Sequence, residues 1–455
     1  MIRMFLSRIL IVLLCIQSVA FAQQRANKPE REKWFSGLGF GMFIHWSVDA
    51  QLGAVISHSL AGASGDYRQK FFTELPATFN PWKFNPDEWA ELAHLAGMKY
   101  MVFTAKHHSG FCMYNTASTP FNSINTPLKR DITKEVITAF RKQGIAIGLY
   151  FSPEDFYYLD QTNVPVGRLQ HPLHYPVSNP GLMAYDKSQL KELLSNYGKI
   201  DIIFLDGPAE GLKEYCWQLQ PDIVVTRGEM NTPEQKIPDA PVPAPWESCL
   251  TMGTDWQFKP TNDKFKTGTE LINTLIETRA KGGNLLLNVG PRPDGTIRDE
   301  EDALLREIAL WNFANAAAIH HTRAGDVIRD GDTWYTRSLD GKIIYACVTR
   351  SLWKYGERKE LLLPSLSGSE KTRVTVLGYA SQLVEYRENF DAAVRITPGA
   401  NGLLVSAVNG QRFYTDNKWP NPVVLQIEGA SFRGSVAGSP QKAAPKDKKQ
   451  IDGAL

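Results

Sequence analysis

Short runs of apolar, β-favouring residues alternate with helical stretches over roughly the first 300 residues of this chain. Such alternation predicts a parallel sheet covered by helices, and at this length a closed (β/α)8-like barrel is favoured over an open sheet. Six strands are clear, one near PWESCL is weak, and no eighth is visible in the pattern. The clear runs are FGMFIHWS, KYMVFTAKHH, IAIGLYFS, IDIIFLD, DIVVTRG and NLLLNVG.

The helices between these runs carry specific start signals. In NPDEWAELAHLAG, Asn85 is a candidate N-cap and Pro86 fits the first turn. In DITKEVITAFRKQG, Asp131 is a candidate N-cap. Both stretches place their apolar residues on one face, which predicts helices that pack against a sheet.

The pattern changes near residue 322. From there on, β-favouring runs such as PVVLQIEG are separated by Gly, Pro, Asp and Asn turns with no helical stretch between them. This texture predicts an antiparallel β-sandwich. The predicted α/β chain is therefore a (β/α)8-like barrel over residues 23–321, a C-terminal antiparallel β-sandwich over 322–430 and a flexible basic tail over 431–455.

The first 22 residues have the layout of a secretory signal peptide. Arg3 and Arg8 accompany an apolar run that ends in the small-residue site AFA at positions 20–22. Cleavage at that site predicts an exported protein, periplasmic or secreted. Cys15 leaves a lipid anchor as the alternative, although Leu14 before it is a poor fit to the small residue that lipoprotein processing prefers.

The remaining composition argues against several classes of protein. With 50 Lys and Arg residues against 48 Asp and Glu, the chain lacks the net charge that attracts nucleic acid, and no nucleic-acid partner is expected. No later stretch approaches the roughly 18 apolar residues of a membrane span, so none is expected in the mature chain. Four cysteines follow the signal peptide, too few and too scattered for a disulfide scaffold.

Polar and aromatic side chains stand at the ends of five predicted strands. The run IDIIFLDG raises the sharpest question, because an isolated charge at the end of a buried strand is costly unless it is paired or used. In a barrel of parallel strands, functional groups gather at the carboxyl ends, where the loops surround one mouth. The strand-end residues are His45, Trp46, His107, His108, Tyr150, Asp206 and Arg227.

Each of these residues also has a plainer interpretation. His107 and His108 could form a zinc pair, but neighbours on a strand face opposite ways, and the His-x-His spacing that would keep both on one face is absent. Asp206 could be a helix N-cap, and Arg227 a surface ion-pair residue. Aromatic residues near the strand ends, including Trp246 and Trp256, suit the stacking faces of sugar rings.

Five segments, in order over roughly residues 34–320, resemble motifs of the retaining α-L-fucosidases, a family of glycoside hydrolases. They are FGMFIHWS, FTAKHHSGF, GLYFSPEDF, IDIIFLDG and GGNLLLNVGPRPDGTI. The resemblance implies a (β/α)8-like barrel followed by a β-sandwich, no metal, no cofactor, and release of fucose with net retention. It also implies fucosylated oligosaccharides or glycoconjugates as partners.

The resemblance further implies roles for individual residues. Asp206 matches the catalytic nucleophile. The chain departs from the family where HHSGF replaces the frequent HHDGF, and where Phe204 and Leu205 replace a frequent Trp near the nucleophile. His45, His107, His108, Tyr150 and Arg227 match groups that hold the sugar, and Asp66 and Tyr67 fall where the family can carry an acidic residue followed by an aromatic one. Trp46 and Trp246 are expected to bind substrate as aromatic residues near the strand ends.

Two glutamates compete for the role of acid/base. Glu247 in APWESCLTMG resembles the Trp-Glu segment of many family members, and Glu234 in GEMNTPEQ resembles the loop acid proposed for others. Glu247 is the favoured assignment, with Glu234 as the alternative. Retention needs two carboxyls about 5 to 5.5 Å apart, one ionised and one protonated.

Two functions compete with the glycosidase. One is a fucose- or glycan-binding barrel with weakened or lost catalysis, for which the HHSGF change is a mild indication. The other is a barrel metallohydrolase, which the histidine spacing disfavours.

Overall fold

The computed structural model describes residues 24, 26–167, 171–349, 353–414 and 419–433. The predicted signal peptide and all but the first three residues of the predicted tail lie outside this described part.

A parallel sheet of seven strands forms the first part of the described chain. The strands run in the spatial order β5-β4-β3-β2-β1-β7-β6, and every neighbouring pair is parallel. This confirms the predicted barrel-like parallel sheet, and the weak strand near PWESCL is β6. The strands are β1 (Phe40–Ile44), β2 (Tyr100–Lys106), β3 (Ala146–Phe151), β4 (Ile202–Leu205), β5 (Val224–Val225), β6 (Glu247–Thr251) and β7 (Asn284–Val289).

The sheet curls around its own side chains. Phe43 on β1 and Phe204 on β4 are separated by two intervening strands in the sheet, yet their ring centroids lie 5.2 Å apart. Both belong to a buried interior cluster, whereas their neighbours Met42 and Leu205 belong to the larger core under the helices. Because side chains alternate between faces along a strand, this division fixes the interior and exterior of a barrel-like wall.

An irregular segment extends the sheet beyond β6. Asn231 and Glu234 form isolated parallel bridges with Trp246 and Cys249. Pro233 interrupts the segment and no apolar run marks it, so the sequence pattern contains no eighth strand at this place. The segment carries Glu234 along the edge of β6.

Nine α-helices in the described ranges accompany the sheet. The predicted helices at Asn85 and Asp131 are confirmed: Asp131 Oδ1 accepts a hydrogen bond from the Lys134 N–H, while Asn85 instead donates to Glu88. The helices are α1 (Pro29–Ser36), α2 (Gly65–Thr78), α3 (Pro86–Leu95), α4 (Ile132–Lys142), α5 (Phe156–Gln161), α6 (Pro180–Asn196), α7 (Leu212–Leu219), α8 (Gly268–Ala280) and α9 (Asp299–Asn315). Among the described residues, no helix combines the length and apolar character needed to cross a membrane.

Antiparallel strands follow α9, which confirms the predicted change of fold class. One sheet has the order β13-β16-β10-β9-β8, a second has β11-β15-β14, and β12 pairs with β17. The strands are β8 (Thr322–Asp330), β9 (Thr333–Ser338), β10 (Ile343–Val348), β11 (Arg358–Leu363), β12 (Leu366–Ser367), β13 (Arg373–Val376), β14 (Arg395–Gly399), β15 (Gly402–Val408), β16 (Val423–Glu428) and β17 (Ser431–Phe432).

Candidate active site

Asp206 lies one residue beyond the end of β4, where the chain opens into the mouth at the carboxyl ends of the parallel strands. Its Oδ1 atom is 2.7 Å from Arg227 Nη1, and its Oδ2 atom accepts a 2.6 Å hydrogen bond from the Tyr150 hydroxyl. His108 Nε2 lies 3.5 Å from the same Oδ2 atom. The charge at the end of this buried strand is therefore paired on both oxygens.

These contacts determine the ionisation of Asp206. Burial alone would raise its pKa, but the Arg227 charge, the neighbouring His108 and the Tyr150 hydrogen bond hold the pKa well below the usual range for a carboxyl. Burial would lower the pKa of Arg227, but Asp206 raises it. The site therefore contains a carboxylate and a guanidinium that remain charged at neutral pH.

Three histidines surround this pair, each bonded through Nδ1 to a different polar group. His45 Nδ1 is 2.7 Å from Asn288 Oδ1, and burial lowers the pKa of His45 to about 4 although the Asn288 contact opposes the shift. His107 Nδ1 is 2.9 Å from Ser57 Oγ, and His108 Nδ1 is 2.5 Å from Ser152 Oγ.

Aromatic rings pack around the histidines. The His107 ring stacks on Tyr150 with centroids 5.1 Å apart and planes 2° apart. The ring centroids of Trp256 and His45 lie 4.9 Å apart. These rings pack against the imidazoles, and Trp256, one of the aromatic residues expected near the strand ends, provides an aromatic surface beside them.

The structure separates the two candidate glutamates. Glu234 Oε2 is 3.1 Å from both Nη1 and Nη2 of Arg227, the residue that also holds Asp206. The side chain of Glu234 is 30% exposed to solvent. Glu234 is thus next to the nucleophile candidate and reachable from solvent.

Glu247 lies elsewhere, at a position that does not suit the acid/base role for which it was the favoured candidate. It is the first residue of β6, at the amino ends of the parallel strands, whereas Asp206 follows the carboxyl end of β4. It is fully buried, it accepts a 2.5 Å hydrogen bond from the Tyr100 hydroxyl, and burial raises its pKa to about 7. A group at the opposite end of a filled barrel interior cannot protonate a leaving group in the mouth.

Two predicted substrate-binding tryptophans are also buried away from the mouth. Trp46 is fully buried, with its ring 5.4 Å from Phe84 and 5.3 Å from Trp89 between centroids. Trp246 precedes β6 at the amino end and donates to the Lys281 carbonyl oxygen. Since a strand alternates its faces, Trp46 points outward where His45 points into the mouth.

Asp66 and Tyr67 lie in the first turn of α2, and their hydrogen bonds and ring contacts in the described part of the chain are with residues of the same segment. Asp66 is exposed and accepts a 2.5 Å hydrogen bond from Ser64 Oγ. Tyr67 is half-buried against the helix core, with its ring centroid 6.5 Å from that of Phe71. Their described contacts are those of a helix start.

Several site residues escaped the sequence analysis. Asn288 and Ser152 stand at the ends of β7 and β3 and could have been found by extending the survey of strand ends. Ser57 and His58 come from a loop with no motif; the His58 ring lies 5.5 Å from that of His108. Only the tertiary fold brings this loop to the mouth.

The ligating atoms of His107, His108 and Asp206 lie within 4.8 Å of one another, and among the described residues they are the group that could hold a metal ion. Asp206 already forms an ion pair with Arg227, with Oδ1 and Nη1 2.7 Å apart. A cation bound there would face that positive charge at short range, so the arrangement disfavours a metal.

The model of the alpha-L-fucosidase family matches residues 16–317, more than half of the chain. The chain belongs to the alpha-L-fucosidase family. Plasma alpha-L-fucosidase of Rattus norvegicus is 27% identical over 398 residues, which cover 77% of this chain and 83% of that protein. The family resemblance predicted from the five motifs is therefore confirmed.

Solved structures of fucosidases have the same fold. Alpha-L-fucosidase isoenzyme 1 from Paenibacillus thiaminolyticus aligns with a TM-score of 0.71 at 27% identity, covering 88% of this chain and 98% of that one. A fucosidase from Bacteroides thetaiotaomicron, solved as a trapped covalent intermediate by means of a glutamate-to-glutamine mutant, aligns with a TM-score of 0.70 at 21% identity, covering 90% of this chain and 97% of that one. At that identity the second likeness concerns the fold alone.

Proposed function

We propose that this protein is an exo-acting α-L-fucosidase that releases fucose from fucosylated oligosaccharides or glycoconjugates with net retention. The observation that carries the proposal is the pairing of Asp206 with Arg227 and Tyr150 beside Glu234. It combines one carboxylate held ionised with a second, solvent-reachable carboxyl, which is the pair that retaining glycosidases use.

Asp206 is the nucleophile in this proposal and Glu234 is the acid/base. Both carboxyls contact the same nitrogen, Arg227 Nη1, at 2.7 and 3.1 Å, so their oxygens lie within the reach of two hydrogen bonds. Retaining enzymes place the two groups about 5 to 5.5 Å apart. The Bacteroides thetaiotaomicron structure of a covalent intermediate supports a double displacement in a protein of this fold.

The reaction proceeds in two steps. An Asp206 oxygen attacks the anomeric carbon while the bond to the leaving oxygen breaks, and protonated Glu234 gives its proton to that oxygen. In the second step the Glu234 carboxylate takes a proton from water, the water oxygen attacks the anomeric carbon, and Asp206 leaves as a carboxylate. When substrate enters, Glu234 exchanges its contact with Arg227 for the glycosidic oxygen.

The remaining residues bind the sugar. His45, His107 and His108 surround Asp206 and offer ring nitrogens to hydroxyl groups. Trp256 lies against His45 and offers an apolar face to the sugar ring. Trp46, Asp66, Tyr67 and Trp246 have no role in this proposal.

The test is Asp206→Gly on an aryl α-L-fucoside. Turnover should fall by several orders of magnitude, because a lost covalent step costs many kcal/mol of barrier. Added azide should restore partial turnover and yield β-fucosyl azide, detected by NMR. A wild-type protein that binds fucose without hydrolysing any fucoside would instead support the glycan-binding alternative, and near-normal activity of the mutant would show that Asp206 is only structural.

The proposal also includes export of the protein and the extents of its two parts. The signal-peptide pattern of residues 1–22 supports export, and the change of sheet type supports a catalytic unit over 23–321 with a sandwich over 322–430. N-terminal sequencing of the protein from its producing cells should find Gln23. Retention of Met1 on protein outside the cytoplasm would contradict the cleavage.

A further inference from the structure

Two histidines of the mouth have opposite hydrogen-bonding surroundings. His107 contacts a hydroxyl through Nδ1, and His45 contacts an amide oxygen through Nδ1. A neutral imidazole carries its proton on one nitrogen only, so the partner of Nδ1 decides whether Nε2 donates or accepts.

The hydroxyl of Ser57 makes Nδ1 of His107 an acceptor. Ser57 Oγ already accepts a 2.9 Å hydrogen bond from the Ser109 N–H, and its other contact is His107 Nδ1 at 2.9 Å. The buried hydroxyl can accept twice but has a single hydrogen to donate, and of its two described contacts only His107 Nδ1 can accept that hydrogen, because the Ser109 N–H is a donor. The proton of neutral His107 then resides on Nε2.

The amide of Asn288 does the opposite to His45. Asn288 Nδ2 donates to the Trp256 carbonyl oxygen at 2.6 Å, which orients the amide so that Oδ1 faces His45 Nδ1 at 2.7 Å. An amide oxygen only accepts, so His45 carries its proton on Nδ1 and its Nε2 is an acceptor. His45 is buried, with burial lowering its pKa to about 4, so the neutral ring is the form present at neutral pH.

The backbone of Ser57 has an unusual conformation that a buried hydrogen bond stabilises. Ser57 has a φ of 60°, in the left-handed region that side-chain-bearing residues seldom adopt. Its N–H donates to Asp49 Oδ2 at 2.7 Å, and both residues are fully buried. Backbone strain of this kind often occurs where a site needs a fixed geometry. The strained backbone of Ser57, held by the buried Asp49 side chain, therefore points to a functional constraint at this residue.

We propose that Ser57 and Asn288 are positioning residues that give His107 and His45 opposite proton placements, so that His107 donates to, and His45 accepts from, the hydroxyl groups of the bound sugar. The proton placement belongs to the free protein, while the identification of the ligand rests on the proposed fucosidase function. The mouth thereby requires a ligand whose hydroxyls both donate and accept at this place, which an ether or fluorine substituent does not do.

The first test measures proton placement without substrate. Correlation of ring protons with ring nitrogens in ¹⁵N-histidine-labelled protein, assigned with His45→Gln and His107→Gln, should show His107 protonated on Nε2 and His45 on Nδ1. In Ser57→Gly, which relieves the φ strain and removes the hydroxyl, His107 should become a mixture of tautomers while His45 stays unchanged. The opposite tautomer of His107 in the wild type would overturn the proposal, as would an unaltered His107 spectrum in Ser57→Gly.

The second test measures the consequence for binding. Ser57→Gly and Ser57→Ala should each lower kcat/KM on an aryl α-L-fucoside by roughly tenfold, chiefly through KM, as expected for one hydrogen bond. Ser59→Ala is the matched control: Ser59 Oγ is buried in the same segment without a hydrogen-bond partner in the described part of the chain, so its loss should leave both constants unchanged.

The two tests separate the inference from the proposed function. Expected tautomers in a protein that hydrolyses no fucoside would reject the fucosidase assignment and leave the proton placement intact. Equal losses in the Ser57 variants and in Ser59→Ala would reject Ser57 as a positioning residue and assign the effect to loop packing.

Discussion

At the scale of single residues, Arg227 organises the candidate site. It holds Asp206 through one nitrogen and Glu234 through two, and its ring neighbour Phe204 lies under the guanidinium at 4.9 Å. Because one cation contacts both carboxyls, Arg227 holds them close to each other, while Tyr150 also orients Asp206. Arg227 therefore brings a carboxyl from an irregular segment next to one at the end of a regular strand.

Glu234→Ala should show the behaviour of a lost acid/base. An acid matters most for a poor leaving group, so kcat/KM on a fucosylated oligosaccharide should fall by roughly 10²–10⁴, while the fucosylation step on a dinitrophenyl fucoside should fall far less. Azide, which needs no base, should accelerate breakdown of the intermediate. Steady-state and burst kinetics on both substrates measure this dependence.

Glu247→Gln is the control for that experiment, since it alters the other candidate glutamate at the far end of the barrel. It should retain the wild-type dependence on leaving group. If the dependence appears in Glu247→Gln and not in Glu234→Ala, the assignment is reversed; if in neither, the acid is another residue.

At the scale of secondary-structure elements, the ends of the strands have different tasks. The carboxyl ends carry the site, whereas the amino end of β6 buries Glu247 against the Tyr100 hydroxyl at the start of β2. On the outer face, Lys106 of β2 lies between Asp155 at the start of α5 and Asp186 of α6, with all three side chains fully buried. These polar contacts join elements that are distant in sequence.

Glu247 should make stability depend on pH. Its folded-state pKa of about 7 exceeds the unfolded value of 4.5, so the protonated form is favoured by folding. The contribution to stability is complete below pH 4.5 and is lost as pH rises through 7, by up to about 3 kcal/mol. Glu247→Gln should therefore gain stability relative to wild type between pH 4.5 and 7, measured by denaturant unfolding; a gain that is the same at all pH values would contradict the shift.

Lys106→Met should destabilise the fold strongly. It leaves two buried carboxylates without their cation, and removing one partner of a buried pair costs about 3 to 5 kcal/mol. Lys142→Met is the matched control, because Lys142 pairs with Asp87 at the surface with both side chains about half exposed or more, where a pair is worth about 0 to 1 kcal/mol. Urea unfolding of both variants gives the comparison, and equal losses would show that the buried cluster carries no special stability.

At the scale of the whole molecule, the antiparallel sheets share a core with the barrel. Trp334, Cys347 and Val424 from these sheets belong to the same buried cluster as the residues under the barrel helices. Trp311 of α9 donates to the Pro422 carbonyl oxygen at 2.8 Å, next to Asn421, which bonds to Glu307. The sheets that follow the barrel therefore complete its core.

Trp311→Phe tests this connection. The ring can stay buried while the Pro422 carbonyl loses its donor, so the free energy of unfolding should fall by about 1 to 3 kcal/mol. Phe313→Ala on the same helix is the control: Phe313 is 92% exposed, and its loss should change stability by no more than about 0.5 kcal/mol. Thermal and urea unfolding should agree; a larger effect in Phe313→Ala would show that the exposed face of α9, and not the contact with Pro422, sustains the fold.

The sequence alone was enough to predict the alternation of strands and helices, the change to antiparallel sheets, and the meeting of Asp206, Arg227, Tyr150 and the histidines, because the carboxyl ends of parallel strands surround one mouth. The tertiary fold was needed to separate the two glutamates, because it places Glu234 beside Arg227 and Glu247 at the amino end of β6. Glu234 lies on an irregular segment with no periodic signal, while Glu247 belongs to a convincing motif that starts a strand. The tertiary fold also buries Trp46 on the outer face of the sheet and brings Ser57 next to His107. Loop paths and side-chain orientations of this kind depend on contacts between residues that are distant in the chain.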